Sequence, residues 1–182
     1  MNPNLKKKEI ILNSDKFLNF VEKNVKKLIS NSKKANSEDT IAAEFEFILR
    51  DCLKEFGIDY SPIKQQSVKN TVIGRVKSKR LDSRFQNIIT EYKKNITDKS
   101  LKEDTDQLIK YITTIAKNEK QLISSYFGIL TDGKKIRFCS FSDEVNTNTI
   151  LYNLTTEKYL ELIKIFLSLE FKVLSALNLL ND

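Results

Sequence analysis

The chain has 182 residues, 40% of them hydrophobic and 30% charged, which suits one domain with a buried core and not a fibrous or disordered polymer. Histidine is absent and the net charge is +7, so Ser-His-Asp and Cys-His nucleophiles, imidazole bases and His-ligated zinc are all excluded. Apolar runs are too short for a membrane span or a signal peptide, and Cys52 and Cys139 sit in apolar surroundings that suit a reducing, cytoplasmic setting.

Residues 14–32 read as an amphipathic helix capped by Ser14, with Phe17, Val21, Leu28 and Phe20, Val25, Ile29 on one stripe. After a polar link over 31–37, Ser37 opens a second helix to about Phe56, with Ile41, Phe45, Ile48, Leu49 and Cys52 along one face and Gly57 as its stop. From Lys64 the period changes. Val68, Val72 and Val76 lie among polar neighbours, and Phe85–Lys93 has the β-branched density of a strand. Asp104 or Thr105 opens a helix through about Lys117. Leu122–Leu130 and Lys135–Phe141 form two strands around Asp132-Gly133, a pair that tolerates the positive φ of a hairpin turn. Thr149–Leu154 reads as an edge strand. Thr155 or Thr156 caps a last helix in which Tyr159, Phe166, Val173 and Leu180 form one stripe and Leu160, Ile163, Leu167 and Leu174 a second. A helix so apolar crosses the core, pairs with a copy of itself as a homodimer, or meets protein outside this chain. The expected architecture is an α/β domain: an N-terminal helix within 1–36, a core over 37–154 and a C-terminal connector helix over 155–182.

Charge is unevenly spread. Residues 64–102 hold eleven basic residues against three acids, Asp82, Glu91 and Asp98, and the rest of the chain is close to neutral. A focused positive window suits a polyanion such as nucleic acid. It equally suits a solvated basic hairpin.

The three acids inside that window narrow the choice. Glu91 and Lys93 are two apart on the expected strand, so they share a face while Tyr92 takes the other. Asp82 precedes the turn before that strand and can reach across to Glu91. Two facing carboxylates beside a lysine repel unless a cation sits between them. Mg2+ with oxygen ligands resolves the conflict, lowers the pKa of a bound water and polarises a phosphoryl oxygen, while the lysine offsets developing charge. Chance supplies roughly three acid-x-Lys triplets in a chain this charged, and three occur, at Glu91, Asp132 and Glu170. The Asp132 triplet is a turn and the Glu170 triplet lies on a helix; Glu91-Tyr92-Lys93 alone follows an apolar strand with an acid upstream.

Gly74-Arg75, Leu81-Asp82 and Ile88-Ile89-Thr90-Glu91-Tyr92-Lys93, then Gln107-Leu108-Ile109-Lys110-Tyr111 and Gly128 to Gly133, stand in one order. That ordered set resembles the metal-site core of PD-(D/E)XK nucleases, and more narrowly the amino-terminal nuclease domain of type IIG-like fused restriction–modification enzymes. The resemblance spans about residues 38–141. It implies a restriction-endonuclease-like core, a mixed sheet flanked by helices. It further implies Asp82 and Glu91 as Mg2+ ligands, with Mn2+ as a substitute, and Lys93 as the catalytic lysine. An acid on the early helix would complete the metal site. Glu44, beside Ile41 and Ile48, is the choice, with Glu46 bordering the other edge; either also reads as a plain helix charge. Gln107 would steady a ligand or the scissile strand, Tyr111 reads as a core aromatic and Asp132 as structural. Leu81 stands where the family name has Pro, and Val76–Arg80 separates Gly74-Arg75 from Leu81 as a basic insert that lengthens the hairpin.

The function implied is a Mg2+-dependent DNA endonuclease, with DNA as partner. The methyltransferase and target-recognition domains of the fused enzymes have no counterpart here: no Asn-Pro-Pro-aromatic motif occurs, and Pro3 and Pro62 are the only prolines. The chain reads as an excised nuclease module or a stand-alone relative. The alternatives are a nucleic-acid-binding module on the same fold with its metal site unused, and an interaction protein that docks through its last helix.

Overall fold

A computed structural model describes the backbone of residues 3–72, 75–142, 145–146 and 150–178, with side chains throughout except at 3–5, 65–81, 142, 145–146 and 169–178. Five α-helices and a six-stranded mixed sheet make up most of the described chain. The fold is therefore mixed α/β.

The helices are α1 (Pro3–Leu12), α2 (Asp15–Ser32), α3 (Glu38–Lys54), α4 (Asp98–Glu119) and α5 (Thr156–Asn178). Ser14 and Ser37 cap α2 and α3 as expected, each side chain accepting an amide of the first turn, at Phe17 and Thr40. Such a cap contributes about 1 kcal/mol. Two of the helices depart from the sequence reading. Helix α1 has no counterpart in it, and α4 begins at Asp98 instead of Asp104, because Thr97 and Ser100 form a reciprocal capping box ahead of the first apolar periodicity.

The strands are β1 (Ile63–Val72), β2 (Arg75–Phe85), β3 (Ile88–Tyr92), β4 (Phe127–Thr131), β5 (Lys135–Cys139), β6 (Phe141–Ser142), β7 (Val145–Asn146) and β8 (Leu151–Asn153). The main sheet runs β1-β2-β3-β4-β5-β8, and β6 pairs with β7 apart from it. All its neighbours are antiparallel except β3 and β4, which α4 joins as a parallel crossover. The stretch read as one strand from Leu122 is a 3-10 turn (Ile123–Ser125) before β4. The insert Val76–Arg80 lies in β2 and lengthens the β1–β2 hairpin, paired as far as Val72↔Arg75. Gly74 falls outside the described residues. So do the side chains of Val68, Val72, Val76, Val173 and Leu174, and all of Leu180, on which the homodimer expectation partly rests.

Each sheet face carries its own apolar core. Ile88 and Tyr92 of β3, Ile129 of β4 and Ile136 and Phe138 of β5 pack against α2, α3 and α5. Ile89, Leu130 and Cys139 pack on the other face against Leu108, Ile112 and Ile115 of α4. Tyr159, Leu162, Ile163, Phe166 and Leu167 of α5 belong to the first core together with Phe17 of α2 and Phe45 of α3, so the apolar face of α5 as far as Leu167 is covered by its own chain. The second core closes tightly: a Cβ on Gly128 would come within 2.8 Å of Ile112 Cδ1 and 3.1 Å of Leu108 Cδ2. No helix among the described residues is long and apolar enough to cross a membrane.

Candidate active site

The carboxyl ends of parallel β3 and β4 open between the first turns of α3 and α4, where open α/β sheets generally receive their ligands. Asp82, Glu91 and Lys93 meet there.

Asp82 lies on β2 one residue past the last ladder pair with β3, Ser83↔Thr90. Where the backbone pairing stops, its side chain takes over: the Tyr92 amide donates to Asp82 Oδ2 at 2.8 Å. This fixes the carboxylate beside Glu91. Glu91 is 2% exposed. Its Oε1 accepts from Lys93 Nζ at 2.9 Å and from Gln107 Nε2 at 2.6 Å, and the same Gln107 nitrogen lies 3.1 Å from the Tyr111 hydroxyl. The other Glu91 oxygen, Oε2, is buried with no hydrogen-bond partner among the described residues. Lys93 also lies 3.9 Å from Asp104 Oδ1 of α4. Alternation along β3 thus sends Glu91 and Lys93 to the α4 side and the Tyr92 ring into the first core, 5.8 Å from Phe45.

The electrostatics follow from burial and crowding of like charge. Burial and the Asp82 charge push Glu91 up to about 7, against the opposing bond from Lys93. Burial also raises Asp82, outweighing the Tyr92 amide and the Lys93 charge. For Lys93, burial pulls the ammonium down, but the Glu91 bond and the charges of Glu91, Glu38 and Asp104 together hold it above the usual lysine value. The surroundings of Lys93 thus favour its ammonium form.

Two acids in the first turn of α3, Glu38 and Asp39, act on Asp82, and Glu38 reaches furthest into the cluster. Its charge acts on Asp82, Glu91 and Lys93, and its Oε1 accepts the Lys94 amide at 3.3 Å. Glu44 is half-buried on α3 and enters none of the contacts described for those three residues. Glu46 is buried behind the sheet, where it pairs with Lys64 at 2.7 Å and accepts from the Tyr92 hydroxyl at 3.4 Å. Glu38, Asp104 and Lys134 were not among the candidate site residues read from the sequence. Glu38 and Asp104 sit in or near a helix's first turns, where an acid already has a reason to be.

Asp132 is fully buried and structural. Its Oδ1 accepts the Lys134 and Lys135 amides at 2.9 and 2.7 Å, and its Oδ2 accepts the Ile96 amide at 2.9 Å. That ties the β4–β5 turn to the loop after Lys93. Two cations of the basic window are likewise spent inside the protein: Lys64 on Glu46, and Arg84, whose guanidinium forms a two-bond fork with Glu119 at 2.6 and 2.9 Å.

Among the described residues no three His, Cys, Asp or Glu side chains converge as a metal-holding group. Asp82 and Glu91 supply two hard oxygen ligands, the number Mg2+ takes when waters and substrate oxygens complete its shell. The unpartnered Oε2 of Glu91 fits such an ion, because a buried carboxylate oxygen with nothing to accept is costly as it stands. Compared with known proteins, the chain matches no family model, no curated protein and no solved structure.

Proposed function

We propose that this chain is a Mg2+-dependent DNA endonuclease module with a PD-(D/E)XK-like core. The observation that carries the reading is the Asp82–Glu91–Lys93 cluster, in which Glu91 keeps one buried oxygen without a partner among the described residues. Asp82 and Glu91 would hold the ion, with Glu38 adding negative charge from α3. When bound, Mg2+ supplies an acidified water and polarises a phosphoryl oxygen.

The remaining work falls to the chain's own residues. Lys93, held cationic by Glu91 and Asp104, places positive charge where a phosphorane would gather negative charge. Gln107 fixes Glu91 Oε1, leaving Oε2 as the free ligand atom. The Tyr92 amide fixes Asp82. A preorganised pair of carboxylates costs no reorganisation when substrate arrives. The methyltransferase and target-recognition partners implied by the resemblance belong to the same proposal, as does a cytoplasmic location.

Supercoiled-plasmid nicking with Mg2+ or Mn2+ tests it, on wild type, Asp82→Ala and Lys93→Ala. Metal-dependent nicking should fall by at least about 100-fold in both variants, the scale of removing one charge that stabilises a transition state. Equal cutting by all three proteins would sink the site assignment, and no cutting by wild type would sink the reading for this chain.

A further inference from the structure

A cleft of about 430 Å³ adjoins Lys93, and its walls carry four lysines, Lys33, Lys93, Lys94 and Lys134, against two acids, Glu38 and Asp104. These cations come from unrelated parts of the chain. Lys33 is the C-cap residue of α2, Lys94 follows β3, and Lys134 stands in the β4–β5 turn. Only Lys93 and Lys94 belong to the basic window of the sequence, so the fold gathers here a charge that the sequence disperses.

The lysines divide by what holds them. Lys93 is bound to Glu91, and Lys134 Nζ is steadied by Asn95 Oδ1 at 3.1 Å and Asp132 Oδ2 at 3.7 Å. Among the described residues the exposed ammonium groups of Lys33 and Lys94 have no acid partner. Ser32 lines the same wall, with its hydroxyl turned inward against Gly133. Four cations from three parts of the fold around one concave space, against two acids, match a tetrahedral dianion or a backbone phosphate better than a carboxylate or an apolar group.

We propose that this cleft is a phosphate subsite, taking a backbone phosphate of the nucleic-acid strand next to the one at Asp82 and Glu91. That the phosphate belongs to a nucleic-acid strand rests on the function proposed above; the subsite itself rests on the lysine geometry. Lys33, Lys94 and Lys134 bind and orient the strand through its charge and read no bases. Lys93 lines the cleft and is bonded to Glu91 at 2.9 Å, so one side chain joins the two places.

The test separates binding from cleavage. Affinity for a fluorescein-labelled DNA duplex is measured by anisotropy in EDTA across a salt series, for wild type, Lys33→Gln/Lys134→Gln and a remote control, Lys27→Gln on α2. Removing one lysine that pairs with a phosphate should lower the slope of log affinity against log salt by about 0.9, so the double variant should lose about 1.8 more than the control does. An unchanged slope, an equal loss in Lys27→Gln, or no salt-dependent binding by wild type would each overturn the subsite. If the slope falls but wild type never nicks plasmid, the subsite stands and the nuclease reading fails. If plasmid is nicked and the slope does not move, the reverse holds.

Discussion

The Tyr92 amide donates to the Asp82 carboxylate at 2.8 Å, one step beyond the last backbone pair of β2 and β3. A side chain thus stands in for a ladder carbonyl, and the substitution is what aims an acid at Glu91. Any replacement that keeps an acceptor at this position should keep the strand ends together.

Asp82→Asn therefore separates fold from chemistry. The amide oxygen can still accept from Tyr92, so the melting temperature should stay within a few degrees of wild type. Asp82→Ala leaves a part-buried amide unsatisfied and should cost about 1–3 kcal/mol. Both variants should lose metal-dependent nicking. Paired melting and cleavage assays check this, and an Asp82→Asn protein that still cuts at the wild-type rate would contradict it.

Glu38 and Glu44 make a second comparison. The charge of Glu38 acts on all three site residues, whereas Glu44 enters none of their described contacts. Glu38→Gln should lower nicking by about 10-fold or more, the effect of about 1.4 kcal/mol, and Glu44→Gln should leave it near wild type. Equal losses would restore Glu44 as the early-helix ligand.

The raised pKa of Glu91 links stability to pH with a definite sign. The unfolded carboxyl titrates near its ordinary 4.5 and the folded one near about 7. Below 4.5 both states hold the proton and the group's favourable contribution is fully present. Between about 4.5 and 7 only the folded state keeps the proton, so stability falls as pH rises, by about 3 kcal/mol in all. Thermal melts in EDTA from pH 4 to 8, wild type against Glu91→Gln, isolate the effect. The difference between the two should drift in favour of Glu91→Gln as pH rises, and a constant difference would count against the shift.

Gly133 has φ +74, and a Cβ there would meet Ser32 Oγ and come within 2.8 Å of Ser32 Cβ. Backbone strain and overpacking together should make Gly133→Ala about 2–4 kcal/mol less stable. Adding Ser32→Gly should recover the steric part and leave the strain. Denaturant melts of the single and double variants measure both portions, and a Gly133→Ala protein as stable as wild type would deny the close approach.

Much of the frame was legible because local chemistry marks it. Ser14 and Ser37 announce α2 and α3, Asp132-Gly133 announces a turn, and the alternation at Glu91, Tyr92 and Lys93 assigns their faces. Helix α1 escaped because its apolar residues make no sustained stripe, and the start of α4 because Asp98–Glu103 is almost all polar. The lysine cleft was illegible for a different reason: Lys33, Lys94 and Lys134 are far apart in sequence, and only the packing of the β4–β5 turn against α2 brings them to one wall. The same distance hid Glu38, whose role depends on where the first turn of α3 lands.

The alternation of β3 also guards the fold against a specific error. Ile88, Thr90 and Tyr92 point one way and Ile89, Glu91 and Lys93 the other. A slip of one residue would drive Glu91 among Phe45 and Tyr159 and swing the Tyr92 ring toward Gln107 and Asp104. The misaligned sheet would bury a second carboxylate in the aromatic layer that already holds Glu46, away from Lys93 and Gln107, a penalty of several kcal/mol. The charged residues of β3 thus also act as a proofreading mark, rejecting the neighbouring alignment of the strand that bears them.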